Sequence, residues 1–244
     1  MKKIFSFLMA ASLSLALFSC QKDNNPSNDG SLKDDEENTG GDEDGGSSLS
    51  GSEYVVLTLD EYTAKELGSK IKANYGPDNV TRHLWVWDET YLGGTCSGLN
   101  SYGQAAAWTS LVVTNVGWSG AGWHNLEATP AFVSSTSELA DWKFHIAYKG
   151  PAGKAHIIIL TWNGATYKFA IGDGQLDDNG IAYPAIAPVS GTFEANVWNE
   201  YEVSLADAGL DYTQTGKSDN IVSVLSGGVQ GTTLDVDAIF FYKK

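Results

Sequence analysis

Between residues 85 and 123 the chain sets flat aromatic rings among amides, carboxylates and glycines. Trp85, Trp87 and Tyr91 come first, then Tyr102, then Trp118, Trp123, Asn125 and Glu127. A sugar ring presents C–H groups on its faces and hydroxyls around its edge. Indole and phenol rings pack on the faces, and planar amides or carboxylates hydrogen-bond the edge. Side chains alternate across a strand, so spacing assigns faces. In RHLWVWDE (82–89), Leu84 and Val86 share one face, while His83, Trp85, Trp87 and Glu89 share the other. In WHNLEA (123–128), Leu126 and Ala128 point one way, and Trp123, Asn125 and Glu127 point the other. If the aliphatic faces meet the core, Trp85, Trp87 and Trp123 stand outward as a stacking platform. Asn125 and Glu127 are then its hydrogen-bonding partners, and Tyr91, Tyr102 and Trp118 are loop contributors. GWSGAGW (117–123) sets Trp118 on a glycine hinge, from which it can serve the ligand or fold inward to close the core.

Other chemistries find less support. A glycosidase needs two carboxylates at a fixed separation across the scissile bond. Glu127 and Glu89 are the best placed, and nothing in their spacing marks such a pair. There is no Gly-x-Ser-x-Gly elbow. The four histidines, His83, His124, His145 and His156, are too scattered for a metal-ligand motif, and no glycine loop fits a nucleotide fingerprint. The chain is expected not to be an enzyme. DGQLDDNG (173–180) lacks the ligand order of a calcium loop and is expected to be a hairpin turn. Asp235 and Asp237 alternate with apolar residues in LDVDAIF (234–240), and carboxylates inside a sheet need partners. A structural calcium at Asp237 is one way to satisfy them; exposure on an edge is the other.

The elements that must hold these residues occupy only part of the chain. MKKIFSFLMAASLSLALFSC (1–20) has a basic start, a short apolar run and small residues before Cys20, the pattern of a secretory signal. Leu17-Phe18-Ser19-Cys20 resembles a bacterial lipobox, with Phe18 bulkier than usual there, which implies acylation of Cys20. Residues 21–52 contain nine Asp or Glu, two Lys and no aromatic residue. Such a segment buries too little apolar area to offset its chain entropy and is expected to be a disordered acidic tether. Residues 53–244 are long enough for one domain with a sizeable core. The whole chain has a formal charge of −15, which disfavours nucleic acid and anionic headgroups as partners. Cys96 has no partner cysteine once Cys20 is acylated, and is expected to be a small buried side chain.

The domain reads as all-β. Ten runs rich in Val, Ile, Thr, Tyr, Phe and Trp stand between Gly, Asn, Asp and Pro clusters: 54–60, 82–89, 109–116, 123–130, 142–150, 154–162, 166–172, 199–205, 220–227 and 233–243. Hairpin-sized loops between so many strands predict a jelly-roll β-sandwich. One short helix is expected between the first two of these strands. Thr63 to Glu66 has capping-box spacing, Ala64, Leu67 and Ile71 recur at helical intervals, and Gly76-Pro77 stops it. In WKFHIAYKG (142–150), Trp142, Phe144, Ile146 and Tyr148 share the core face.

TTLDVDAIFFYKK, at the C-terminal end, is similar to the last strand of jelly-roll carbohydrate-binding modules. The lipobox with its acidic tether resembles the surface glycan-binding lipoproteins of Bacteroidetes. WVWDETYLGG, NSYG and GWSGAGW resemble stretches of lipoproteins from the same bacteria. The resemblance implies a galactose-binding-like sandwich, an outer-membrane location facing the cell exterior, and a membrane contact through the lipid alone. In modules of this shape a calcium commonly sits near the terminal strands, which bears on Asp237. The expectation is a non-catalytic surface lipoprotein binding a neutral glycan by aromatic stacking. The alternative is a structural or assembly lipoprotein binding a protein partner, such as a component of an uptake complex.

Overall fold

The computed structural model describes residues 48–87, 91–97, 107–113, 119–226 and 231–244. Cys20 and the signal, the acidic tether to residue 47, Glu89, Tyr102 and Trp118 lie outside the described residues. Fourteen strands are described: β1 (Glu53–Thr58), β2 (Ile71–Asn74), β3 (Arg82–Val86), β4 (Tyr91–Ser97), β5 (Ala107–Val113), β6 (Ser119–Asn125), β7 (Trp142–Lys149), β8 (Ala155–Trp162), β9 (Ala165–Gly172), β10 (Gln175–Asp178), β11 (Ile181–Pro184), β12 (Asn199–Ser204), β13 (Asp219–Ser226) and β14 (Thr233–Lys243). Two short helices accompany them, α1 (Glu61–Leu67) and α2 (Leu205–Ala208). No helix among the described residues is long and apolar enough to cross a membrane.

The strands form a β-sandwich of jelly-roll type. The first sheet runs β12-β7-β14-β1-β2, with β5 beside β14 and β4 beside β5. β14 is long enough to pair with β5 through Thr233–Val236 and with β1 through Ile239–Lys243. The second sheet runs β3-β6-β13-β8-β9, antiparallel throughout, and β10 and β11 form a separate hairpin. The core lies between the two sheets. Trp142, Phe144, Ile146 and Tyr148 of β7 enter it from one side, as their alternation predicts, and Ile158, Leu160 and Trp162 of β8 from the other. Phe132 plugs one end, with ring centroids 5.0–5.6 Å from those of Trp142, Trp162, Tyr212 and Phe241. Each such buried side chain contributes roughly 1.5–3 kcal/mol of transfer free energy.

Three sequence expectations change on inspection of the chain. The helix is present after the first strand, but it starts and stops earlier than its pattern suggests. Asp60, rather than Thr63, is the N-cap, and its Oδ1 accepts the Thr63 N–H at 2.7 Å. Gly68 then takes φ 52°, the left-handed region that ends a helix, so Ile71 begins the parallel strand β2 instead of a third helical turn. DGQLDDNG (173–180), expected to be a hairpin turn, does hold one at Asn179-Gly180, but Gln175–Asp178 is also a strand, β10, paired with β11. Finally, Ser48–Ser50 forms a turn of 3-10 helix, Leu49 packs on the domain and Gly51 is buried, so the folded part takes in residues placed in the tether.

The first sheet is covered on its outer face as well. Tyr54, Val56, Ala147, Phe240 and Tyr242 make a second apolar cluster there, closed by Leu67 of α1, Leu49, Ile71 and Trp198. His145, outward by alternation, is fully buried in this layer and stacks on Phe240 at 4.6 Å and 9°. The outer face of the second sheet is covered only in part. The β10–β11 hairpin folds against β8 and β9, where Lys168 meets Asp178 at 2.6 Å. Ile157 and Ala170, outward by alternation, are fully buried on that side.

Candidate functional site

The open part of the second sheet is the outer face of β3 and β6. The register sets Leu84 opposite Trp123 and Val86 opposite Ala121 on the core side, which leaves His83 opposite His124 and Trp85 opposite Gly122 on the outside. Trp85 is 53% exposed, as the alternation of β3 predicts. Its ring meets the edge of His124 at 5.2 Å and 88°, so the indole is backed on one side and open on another. Trp87 also projects outward but is only partly exposed, because its ring lies on β6: a Cβ added at Gly120 would fall 2.0 Å from its Cε3. Asn220 of β13 does the same one position along, its Oδ1 lying 2.6 Å from where a Cβ of Gly122 would be. Gly120 and Gly122 therefore clear the outer face of β6 so that an indole and an amide can lie against the backbone.

Trp123 does not stand outward. It is 2% exposed, and its Nε1–H donates to Thr58 Oγ1 at 2.9 Å across the core. Asn125 shares its face and is 4% exposed. Asn125 Nδ2 donates to Thr129 Oγ1 at 3.1 Å, and its Oδ1 accepts the Glu127 N–H at 3.1 Å, so this buried amide shapes the chain after β6. The cause is local. β6 ends at Asn125, so Leu126 and Ala128, which were used to assign its faces, lie beyond the strand. Inside the strand the outward positions are His124 and two glycines, Gly120 and Gly122, which are silent in any hydrophobicity pattern. Leu126 is 49% exposed, and Glu127 is exposed beyond the strand end, where no pairing brings it to Trp85. Tyr91 opens β4, which pairs with β5 in the first sheet; its side chain lies outside the described residues, as does that of Cys96.

Alternation alone had not singled out His124 and Asn220 as members of this face. The signal that finds them is the cross-strand register, which needs the partner strand. The row His83, His124 and Asn220 borders Trp85 with hydrogen-bonding side chains. Such a surface suits an uncharged, hydroxyl-rich ligand with an apolar face.

Asp235 and Asp237 are both buried, at 9% and 1%. Asp235 pairs with Lys149 at 3.2 Å. Asp237 accepts the Ala238 N–H at 2.7 Å through Oδ1, while its Oδ2 has no hydrogen-bond partner. Burial pushes its carboxyl up to about 7, with Asp60 adding to the rise and Ala238 and His145 opposing it. Asp60 is engaged in capping α1, and among the described residues no group of three or more His, Cys, Asp or Glu gathers that could hold a metal.

No family model matches the sequence, and no curated protein matches it. Among solved structures, the chain is similar to a family 30 carbohydrate-binding module at 11% identity and TM-score 0.40, covering 66% of this chain and 87% of the module. It is also similar to a family 11 carbohydrate-binding module of a cellulosomal cellulase of Clostridium thermocellum, at 10% identity and TM-score 0.36, covering 68% and 89%. An exo-beta-agarase matches at 10% identity and TM-score 0.41, over 69% of this chain and 24% of the enzyme. The sandwich itself rests on the strand pairing described above.

Proposed function

We propose that this chain is a non-catalytic lipoprotein, acylated at Cys20, facing the exterior of the outer membrane, and that it binds a neutral glycan on the open face of its second sheet. The observation that carries the binding is Trp85, an indole fixed on a strand, backed by His124 and half exposed on a face whose reverse fills the core. Trp87 extends the apolar floor, and His83, with the atoms of His124 and Asn220 other than the buried His124 Nδ1 and Asn220 Oδ1, borders it with hydrogen-bonding groups for hydroxyls. The lipobox pattern ending at Cys20 and the acidic segment after it support the anchor and the tether. Affinity gel electrophoresis through neutral polysaccharides (β-glucan, xylan, mannan and starch) tests the binding. Retardation in at least one gel, lost in Trp85→Ala, is expected; free migration in all of them overturns the reading. Labelling with radioactive palmitate, lost in Cys20→Ala, tests the anchor.

A second reading draws on the same edge of the sheet. β3 pairs only with β6 among the described strands, and Val80 (73% exposed), Leu126 and Trp85 lie along it. An exposed edge bordered by apolar side chains can take a strand of another protein. Capture of a specific outer-membrane protein by the wild type, together with no retardation by any glycan, would favour it.

A further inference from the structure

Two hairpin turns of this chain have the same two residues and the same backbone. Asn163-Gly164 joins β8 to β9 between the paired residues Trp162 and Ala165, and Asn179-Gly180 joins β10 to β11 between Asp178 and Ile181. The φ angles are 53° and 81° in the first turn and 51° and 80° in the second. Asn-Gly suits such turns because both positions need left-handed backbone. Both asparagines are exposed, and both glycines face open space. The difference lies in the side chains. Asn163 is held at both ends of its amide: Nδ2 donates to Thr215 O at 3.2 Å, and Oδ1 accepts the Lys217 N–H at 3.0 Å. Asn179 is held at one end only, by Nδ2 donating to Oδ1 of the adjacent Asp178 at 2.8 Å.

We propose that Asn179 is a site of spontaneous deamidation and that Asn163, in a matching turn, is protected by its two hydrogen bonds. The Gly180 nitrogen attacks Cγ of Asn179, its proton passing to solvent, and the N–Cγ bond forms. The Cγ–Nδ2 bond breaks, the nitrogen takes up a proton and leaves as ammonia, and a succinimide remains. Water opens that ring at either carbonyl, giving aspartate or isoaspartate. Glycine leaves the attacking nitrogen unobstructed in both turns, so access to Cγ decides between them. The Asn163 amide must give up both bonds before its Cγ can rotate into reach, which slows it on the order of tenfold or more. An isoaspartate lengthens the main chain of a two-residue turn by one methylene. It also sets a second carboxylate beside Asp178, whose Oδ2 holds Lys168. The hairpin over β8 and β9 is therefore a part of the domain that ages.

The test is peptide mapping by mass spectrometry of the intact protein, sampled over weeks at neutral to mildly alkaline pH and 37 °C. A parallel sample is kept in concentrated urea. The expected result in buffer is a gain of one mass unit and an isoaspartyl peptide at Asn179, forming at least about ten times faster than at Asn163; in urea the two rates converge to within about threefold. Asn179→Ser removes the signal from that peptide and leaves the Asn163 peptide unchanged. Equal or reversed rates in the folded protein, or no deamidation at Asn179, overturn the proposal. So does a difference that persists undiminished in urea, since the protection would then be local sequence.

Discussion

Replacing Trp85 by alanine separates ligand binding from folding. A tryptophan buries roughly 150–250 Å² when fully enclosed. With 53% of Trp85 open, about 100 Å² is available for a sugar face to cover. At about 25 cal/mol per Å² this corresponds to about 2.5 kcal/mol, a ceiling because association also immobilises side chains. Trp85→Ala should therefore weaken binding by about tenfold to sixtyfold. The half of the ring against His124 and the strand, about 90 Å² or about 2 kcal/mol, supports the fold, so the melting temperature should fall by no more than about 4–8 °C. The assay is affinity electrophoresis followed by isothermal titration with whichever polysaccharide retards the wild type, alongside thermal denaturation. Retention of binding within about twofold, in a variant with unchanged melting temperature, would refute the stacking role. Full loss of binding together with a collapsed melting temperature would instead mean that Trp85 belongs to the core.

Trp123→Phe should show the opposite pattern: it removes the Nε1–H bond to Thr58 and part of a buried ring, costing about 2–4 kcal/mol in denaturant unfolding with glycan binding intact in the folded fraction. Gly120→Ala drives a methyl group into the Trp87 ring, so a loss of about 1–3 kcal/mol and a changed near-ultraviolet circular dichroism spectrum are expected; an unchanged spectrum would count against the flat placement. His156 is fully buried, and neither of its ring nitrogens has a hydrogen-bond partner. Burial, and then the charge of Lys154, lowers its pKa from 6.5 to about 4, so the folded state favours the neutral ring. Stability is then full above about pH 6.5 and falls as the unfolded chain takes up a proton, by about 3 kcal/mol in total once pH drops to 4. His156→Leu should remove that part of the acid loss and be neutral or stabilising at pH 7, as read from urea unfolding across pH; an unaltered acid limb would exclude His156 as its source.

How much of this was legible beforehand depends on where each signal resides. The strand at 142–150 was readable because four large apolar side chains alternate with polar ones inside the strand itself. β3 was readable for the same reason, and Trp85 was correctly placed outward. β6 was not, because two of its three outward positions are Gly120 and Gly122, and the apolar residues Leu126 and Ala128 lie past its end. β10 and β11 were too short and too polar to announce themselves. α1 ended early because a single positive φ at Gly68 outweighed the helical spacing of Ile71.

The order of residues by itself determined an all-β domain with one short helix, the tryptophan load, the acidic charge, and the face of every strand whose own residues alternate. Those properties follow from local sterics and from the period of the side chains along an extended backbone. Only the tertiary structure decided which sheet face is covered, that Trp123 and Asn125 belong to the interior, and that His124 and Asn220 stand beside Trp85. Exposure is a property of what packs on a residue, and the covering pieces, α1, Trp198 and the β10–β11 hairpin, come from distant parts of the chain. No period along a strand encodes them.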